Sequence, residues 1–312
     1  MSLAHLIPSL EPKLHSLYDK HRERAAKIDW AYHEFLPLDE LRANPDAMPK
    51  LSPAVYTAVE TAVLTEVNLP WFTTHLHAAF RGSLEIMVEF LHTWTSEEDQ
   101  HALLLETYLM LGGSGDTKRR MALRKAVVRQ GWATNIDSHF QAIAYTAIQE
   151  LATQTFYLRV AEVAEHEDPG LARALRRIAK DETLHMAFYR DAVKMHLEAE
   201  PNYVYPLADV IMKFEMPGSG MPDYLERSEV IAEDVNYGPE QYYTQVLNTL
   251  WNFWGITELA PTLAEAREAQ QRVVRYHMKL GRIAARLTAR REKKQADHEN
   301  GNGSGITQLS AR

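Results

Sequence analysis

Three pairs of glutamate and histidine spaced three residues apart are the part of this sequence best suited to chemistry. The pairs are Glu89 with His92, Glu98 with His101, and Glu182 with His185. Residues at positions i and i+3 of a helix share a face, so a carboxylate and an imidazole at this spacing can bind one metal ion together. A single pair is a weak signal, because a chain of this composition contains about one by chance.

A further glutamate lies thirty-two residues before the glutamate of two of these pairs. It is Glu66 before Glu98, and Glu150 before Glu182. The same distance before Glu89 leads to Thr57, which offers no carboxylate. Glu89 is also nine residues before Glu98, about 2.5 helical turns, and so points to the opposite helix face. We therefore expect Glu89 and His92 to lie on the surface without a metal.

The equal spacing predicts two antiparallel helical hairpins. Gly82 lies midway between the two glutamates of the first set, in a predicted turn, and His166 lies midway between those of the second, within the turn "EHEDPG". Residues equidistant from the turn of a hairpin lie side by side. Each hairpin, about 52–112 and about 135–199, should therefore place a lone glutamate beside a Glu-x-x-His pair, roughly 24 Å from its turn.

Two such hairpins packed together predict a dinuclear metal site. A lone glutamate from each of two helices and a Glu-x-x-His pair from each of the other two is the ligand set of di-iron and di-manganese carboxylate proteins. Four carboxylates balance the charge of two divalent ions, and their oxygen and nitrogen donors suit iron or manganese better than a closed structural zinc site. The predicted ligands are Glu66, Glu98, His101, Glu150, Glu182 and His185.

Helical periodicity dominates the remaining sequence and predicts an all-α fold with extra helices flanking a four-helix bundle. We predict one domain over residues 1–291 and a disordered tail over 292–312, "EKKQADHENGNGSGITQLSAR", which lacks apolar periodicity. The predicted helices cover residues 10–28, 52–81, 84–111, 117–131, 135–165, 169–199, 202–214, 225–236, 239–253 and 257–291.

Composition narrows the functional classes. The chain has 312 residues, a net charge of −8 and no cysteine, which excludes disulfides, iron–sulfur clusters and thiol catalysis. No stretch approaches 18 consecutive apolar residues, and the first residues do not form a signal peptide, so we expect no membrane span and a cytoplasmic protein. The acidic total also argues against nucleic-acid binding.

Five segments together resemble the soluble, plant-type acyl-acyl-carrier-protein (acyl-ACP) desaturases, including their actinobacterial members. The resemblance extends over most of residues 25–285 and implies a ferritin-like four-helix bundle. The segments are "DWAYHEFLP" (29–37), "LTEVNLPWF" (64–72), "WTSEEDQH" (94–101), "QELAT" (149–153) and "KDETLHMAFYRD" (180–191).

The resemblance implies roles for four residues around the same six ligands. Asp181 would accept a hydrogen bond from a ligand histidine and fix its orientation. Trp30 would lie near Asp181 and His101 on the route for incoming electrons, unless it is ordinary packing. Thr153 would face the oxygen-binding side of the metal site, unless its hydroxyl only bonds its own helix backbone. Glu97 would either support a ligand or be exposed.

The implied activity is the insertion of a cis double bond into a saturated acyl chain carried by acyl carrier protein. Two iron ions, supplied as Fe2+ and replaceable by manganese, would use dioxygen and two electrons from ferredoxin or a similar donor. Family members are usually homodimers. A long apolar channel must hold the acyl chain beside the metals, and we expect His75, Ala78 and Ala79 to line part of it.

One departure from the family concerns the docking of the carrier protein. Plant members have basic residues between the last ligand glutamate and histidine, where this chain has Thr183 and Leu184. Two basic runs, 118–129 and 272–294, could take over this role for an acidic carrier protein, or each could be a plain solvated face.

Three other functions remain open at this point. One is a different di-iron enzyme, either an oxidase or the radical-generating subunit of ribonucleotide reductase. The latter would need a tyrosine near the metals; Tyr145 or Tyr189 could serve, or each could be ordinary packing. Iron storage would leave the helices after residue 200 unexplained. An inactive acyl-carrier binder would not need all six ligands.

Overall fold

The computed structural model describes residues 3–44, 46–132, 136 and 138–303, with side chains up to residue 293. Over these residues the fold is entirely helical, without a β-strand, as predicted. No helix among them combines the length and the apolar character needed to cross a membrane. The helices are α1 (Glu11–Ala25), α2 (Leu38–Ala43), α3 (Pro53–Glu66), α4 (Leu69–Ala79), α5 (Glu85–Leu111), α6 (Thr117–Gln130), α7 (His139–Ala164), α8 (Pro169–Ala199), α9 (Val204–Lys213), α10 (Tyr224–Asp234), α11 (Pro239–Gln241), a π-helical turn (Tyr242–Leu247), α12 (Asn248–Trp254) and α13 (Ala264–Gly303).

The two predicted hairpins form the centre of the molecule. In the second hairpin, α7 and α8 pack along each other on either side of the 165–168 turn. Helix α8 begins sharply because Asp168 accepts hydrogen bonds from the amides of Gly170 and Leu171, and Pro169 occupies the first helical position. Helix α7 begins at His139, capped by Ser138; the predicted start at residue 135 lies outside the described residues.

The first arm of the other hairpin is broken, whereas the sequence analysis predicts one continuous helix over 52–81. Helix α3 ends at Glu66, and α4 starts at Leu69. The break has a local cause, because Pro70 has no N–H to donate to the Glu66 carbonyl, and its ring would clash with that carbonyl in a regular helix. The Asn68 carbonyl instead accepts the amides of Trp71 at 2.9 Å and Phe72 at 3.0 Å. Glu66 therefore lies at a helix end rather than in mid-helix.

Helix α13 corrects the prediction of a disordered tail from residue 292. The helix continues to Gly303, and residues 304–312 lie outside the described residues. Lys, Glu, Gln and Ala in this stretch are good helix formers, and extending an existing helix costs far less than starting one. A pattern-based search for an apolar face misses such a helix.

A buried ion pair connects the first hairpin to the flanking helices. Glu60 on α3 and Arg227 on α10 are both buried, and their charged groups are 2.7 Å apart. The Tyr56 hydroxyl also donates to Glu60 at 2.7 Å. Burial would raise the pKa of the Glu60 carboxyl, but the hydrogen bonds from Tyr56 and Arg227 outweigh burial and lower it. The pair fixes α10 against the helix that carries Glu66.

We expect Arg227→Met to lower the free energy of unfolding by about 3 kcal/mol at pH 7, because it leaves the Glu60 carboxylate buried without its main partner. The half-exposed Arg119 lies 3.4 Å from the same carboxylate, and Arg119→Met should cost less than about 1 kcal/mol. Because the pKa of Glu60 is lowered in the folded state, its stabilising contribution is present at neutral pH and lost as the pH falls through that pKa. Urea denaturation should therefore show a smaller difference between wild type and Arg227→Met below about pH 4; an unchanged difference would contradict this role.

Candidate metal centre

The six predicted ligands meet in the interior of the bundle. Glu66 comes from the end of α3, Glu98 and His101 from α5, Glu150 from α7, and Glu182 and His185 from α8. All six side chains are buried. By contrast, Glu89 and His92, the third Glu-x-x-His pair, are both exposed, as the spacing indicates. The same motif therefore occurs on the inner and the outer face of α5.

The six side chains form two overlapping groups of four. Within each group, one potential ligand atom per residue lies within 4.8 Å of the others. The first group is Glu66, Glu98, His101 and Glu182; the second is Glu98, Glu150, Glu182 and His185. Glu98 and Glu182 belong to both groups, which is the arrangement expected if two carboxylates bridge two ions. Each ion would then have one further glutamate and one histidine of its own, both from a single hairpin.

The atoms that point into the centre fit a metal. The Nδ1 atom of His185 lies 2.9 Å from a Glu98 oxygen, and the Nδ1 atom of His101 lies 3.2 Å from the other. Despite these short distances, both Nδ1 atoms form no hydrogen bond among the described residues, and neither do both oxygens of Glu182 or one oxygen each of Glu98 and Glu150, all of which are buried. Buried polar atoms normally have hydrogen-bond partners. A cluster of buried nitrogen and oxygen atoms without partners therefore indicates a cation-binding site.

Electrostatics lead to the same conclusion. Burial, and then the neighbouring carboxylates Glu98 and Glu150, raise the pKa of Glu182 well above its ordinary range. Burial and Glu98 likewise raise the pKa of Glu66 to about 7. Burial would lower the pKa of His101 and His185, but the surrounding carboxylates outweigh burial and raise the pKa of both. Without metal ions, protons therefore offset part of the charge of the four carboxylates. Two divalent ions would compensate for this charge.

On the side of His101, the outer nitrogen faces Asp181. The Nε2 atom of His101 lies 3.4 Å from Asp181 Oδ2, and the Trp30 indole donates to the same oxygen at 2.7 Å. Arg177 binds the other Asp181 oxygen. The Trp30 ring also stacks on His101, with 6.3 Å between centroids. Trp30 and Asp181 therefore lie where the family resemblance suggests.

On the side of His185, Glu97 takes the corresponding position. The Nε2 atom of His185 lies 2.7 Å from a Glu97 oxygen, which also contacts Nε2 of His21 at 3.0 Å. Burial would raise the pKa of Glu97, but its hydrogen bonds with His185 and His21 lower it to about 2. Glu97 is thus a supporting carboxylate rather than an exposed one. Sequence analysis did not find His21, because this histidine on α1 belongs to no motif.

Sequence analysis also missed two aromatic side chains. They bind Glu66 and Glu150, the two glutamates that each belong to only one of the groups of four. The Trp94 indole donates to Glu150 at 3.0 Å, and the Tyr157 hydroxyl donates to Glu66. Trp94 lies one turn before Glu98 and Tyr157 two turns after Glu150, so helical spacing from the ligands would have identified both. Of the tyrosines considered earlier, Tyr145 donates to the Glu215 carbonyl at 2.7 Å, whereas the buried Tyr189 hydroxyl has no described partner.

A largely apolar cavity of about 810 Å³ adjoins the metal-binding residues. Glu66, Thr153 and Tyr157 line it on the side of the bundle. Its other walls come from the 214–220 loop, from α10 and from residues 237–242. The Thr153 hydroxyl donates to the Gln149 carbonyl at 3.0 Å, so this residue both bonds its own helix and faces the cavity.

His75, Ala78 and Ala79 do not line this cavity, contrary to the expectation from sequence. They border a separate space of about 330 Å³ near His5 and His139. The reason is the orientation of α4 after the break. Its buried face carries Phe72 and Leu76 and is continued by Phe80 just after the helix ends, whereas Ala78 is exposed and His75 and Ala79 are only half-buried. The prediction assumed a straight helix continuing from Glu66.

Comparison with known proteins agrees with this site. A family model described as fatty acid desaturase matches residues 3–302. This chain belongs to the fatty acid desaturase family. The family consists of oxidoreductases that use iron. The sequence is 27% identical over 272 residues to a Mycobacterium tuberculosis protein named as the acyl-ACP desaturase DesA1, which covers 81% of this chain and 78% of that protein.

Other members of the desaturase family are similar over comparable lengths. The chloroplastic stearoyl-ACP 9-desaturase of Elaeis guineensis var. tenera is 28% identical over 286 residues, covering 84% of this chain and 72% of that protein. The X-ray structure of DesA2 from Mycobacterium tuberculosis H37Rv, described as an acyl-ACP desaturase, matches with a TM-score of 0.62 at 19% identity. It covers 83% of this chain and 97% of that chain, and it confirms the predicted ferritin-like helical fold.

Replacing a glutamate that belongs to both groups should lower the metal content more than replacing one that belongs to a single group. We expect Glu182→Ala to abolish binding of both ions, because it removes a ligand from each group. Glu66→Ala should retain one ion, since the group around Glu150 and His185 stays complete. Metal analysis after loading with Fe2+ and removal of excess would measure both. The control is Glu89→Ala, which should still bind two ions; two ions in Glu182→Ala would refute the ligand assignment.

The carboxylate behind His185 should tune metal affinity. We expect Glu97→Gln to weaken binding of the ion next to His185 by about 10- to 100-fold. The amide would hold the His185 imidazole less firmly and make it less basic. Competition with a chelator would measure the change. Glu89→Gln removes a carboxylate from the exposed face of the same helix and should leave the affinity unaltered. An equal loss of metal affinity in both variants would mean that Glu97 acts only through its contribution to the net charge of the protein.

Proposed function

We propose that this chain is an acyl-ACP desaturase that introduces a cis double bond into a saturated fatty acyl chain at a di-iron centre. The proposal rests on the position of the metal-binding residues next to an apolar cavity. A site with ligands for two ions opens, through Glu66, onto an apolar cavity large enough for a small-molecule substrate. The relatives named as acyl-ACP desaturases support the same reaction.

The donor set supports iron as the metal, with manganese as a possible replacement. Glu66 and His101 would hold one ion, Glu150 and His185 the other, and Glu98 and Glu182 would be common to both. When bound, the iron ions would supply the dioxygen-dependent removal of two hydrogen atoms from adjacent methylene groups, with two electrons from a reductant. Such chemistry belongs to the cofactor, and the protein provides position and exclusion of water.

The cavity would position the acyl chain. Its walls are mostly apolar, so a methylene chain gains free energy there by leaving water. Phe156, Tyr157 and Ile231 make its surface near α7 and α10. Glu66 and Thr153 bring polar groups to the part of the cavity next to the other metal-binding residues. A chain held along these walls would present one chosen carbon–carbon bond to the metals.

The Trp30 side suits the entry of electrons. Trp30 is partly exposed, donates to Asp181 and stacks on His101, so it connects the surface to a ligand of the first ion. We propose that ferredoxin or a similar carrier delivers electrons here, since Trp30 is not among the residues that line the cavity. A homodimer and a cytoplasmic location remain part of the proposal.

Among the alternatives, iron storage accounts least well for the structure. A storage protein has no use for an apolar cavity beside its metal ligands, bounded by helices that lie outside the four-helix bundle. A different di-iron oxidase acting on another apolar substrate is the closer competitor. The two are separated by the product formed from an acyl-ACP.

The direct test supplies purified protein with Fe2+, a reductant, dioxygen and stearoyl-ACP. Mass spectrometry of the acyl product should show the loss of two hydrogen atoms, and the position of the double bond would identify the bond that lies next to the metals. Absence of any unsaturated product from a series of chain lengths would contradict the proposal. Deposition of many more than two irons per chain would favour storage.

A cavity-filling variant tests whether the acyl chain occupies the space described. Ser228 on α10 lines the cavity, and Ser228→Phe should lower turnover of stearoyl-ACP at least about tenfold by occupying its volume. Its exposed neighbour gives a matched control, since Glu229→Phe adds the same ring outside the cavity and should remain active. Both variants should bind two irons. Full activity of Ser228→Phe would show that the substrate lies elsewhere.

A further inference from the structure

Helix α13 carries a continuous stripe of positive charge on its exposed face. Seven exposed Lys and Arg residues follow one another at intervals of three or four, which keeps them on one side of the helix. They extend over about 32 Å at 1.5 Å per residue. This basic stripe comprises Arg272, Arg275, Lys279, Arg282, Arg286, Arg290 and Lys293.

Among the side chains that the structure describes, none forms an ion pair with the basic stripe. No acidic residue occurs between Glu268 and Glu292. Among the described side chains of this stretch, Arg291, beside the stripe, forms an ion pair with Glu240 at 2.8 Å, and no stripe residue forms one. Like charges at this spacing destabilise a helix. The stripe is therefore an unfavourable feature for an isolated helix, on a protein whose net charge is −8.

The other basic run differs, because much of its charge is used inside the molecule. On α6, Arg119 lies 3.4 Å from both Glu60 and Asp223, and Arg124 pairs with Glu106 at 2.9 Å. Arg120 is buried and donates to the carbonyls of Leu109 and Ser114. These contacts give α6 a structural role. The sequence alone made the two basic runs equal candidates for docking, and their ion-pair partners in the structure distinguish them.

Helix α13, which carries the basic stripe, packs beside the wall of the apolar cavity. Gly281 allows α13 to approach the π-helical turn closely, since a Cβ atom there would lie 2.6 Å from the Tyr243 hydroxyl oxygen. Tyr242, the preceding residue, lines the cavity. Further along α13, Arg291 binds Asn236 and Glu240, on either side of the cavity-lining residues 237–239. A molecule seated on the stripe would be adjacent to this wall.

We propose that the basic stripe of α13 docks the acidic acyl carrier protein, an inference that rests on the proposed desaturase function. Opposite charges would steer the carrier protein to the face of the enzyme next to the cavity. Two apolar side chains lie among the cations, Met278 at 56% exposure and Ile283 at 38%, as is usual where proteins rather than nucleic acids bind. The acidic remainder of the chain would repel an extended polyanion such as DNA.

The test compares two triple variants with the same change in charge. The stripe variant is Lys279→Gln, Arg282→Gln and Arg286→Gln; the control, on α6, is Lys118→Gln, Lys125→Gln and Arg129→Gln. Glutamine retains helix propensity, and circular dichroism verifies the fold of each. At low ionic strength the stripe variant should raise the KM for stearoyl-ACP about tenfold or more, with the effect on KM rather than kcat, and flatten its salt dependence. The control should stay within about twofold of wild type.

Direct binding of acyl carrier protein separates this inference from the proposed function. If wild type binds the carrier protein and the stripe variant binds about tenfold more weakly, the docking assignment stands even if no desaturated product forms. If wild type desaturates stearoyl-ACP and the stripe variant matches it in KM and binding, the docking assignment fails while the function stands. Tighter binding of wild type to duplex DNA or to vesicles containing anionic lipid than to the carrier protein would also overturn it.

Discussion

The structure depends on one constraint, the burial of four carboxylates and two imidazoles in a single bundle core. Burial and mutual repulsion raise the pKa values of Glu66 and Glu182, so the site is electrostatically incomplete as protein alone. Two divalent ions would complete it, and Glu98 and Glu182 would serve both. Bound ions would then hold the four helices together by ligation as well as by packing. The chemistry and the stability of the core then have the same origin.

Around this centre, a second set of contacts fixes the ligands from outside. Asp181 and Glu97 face the outer nitrogens of the two histidines, so the inner Nδ1 atoms point to the centre where metals would bind. Each supporting carboxylate recruits a different part of the chain: Trp30 from the segment before α2, and His21 from α1. The N-terminal segments thus complete the site, although they contribute no ligand. The two candidate ion positions consequently have unlike surroundings, with an indole on one side and an imidazole on the other.

The sequence was most informative where the geometry repeats. Equal spacing about two turns identified all six residues that the structure brings together and rejected Glu89 and His92, because hairpin register follows from helix rise alone. It was least informative where distant segments meet. The cavity is built from α3, α7, α10 and loops separated by over a hundred residues, without any shared periodicity. The sequence wrongly placed three residues, His75, Ala78 and Ala79, in the wall of the cavity, because Pro70 breaks the helix at Glu66. It also missed the helix over residues 292–303, which lacks the apolar face that pattern analysis requires.

The most direct test of the central claim is anomalous diffraction at the iron edge from crystals of the protein loaded with Fe2+. The account predicts two iron peaks about 3.5–4 Å apart, both within bonding distance of Glu98 and Glu182. One peak should also bind Glu66 and His101, and the other Glu150 and His185. A single peak, or an ion held by His21, Glu97 and the outer nitrogen of His185 instead, would contradict the account.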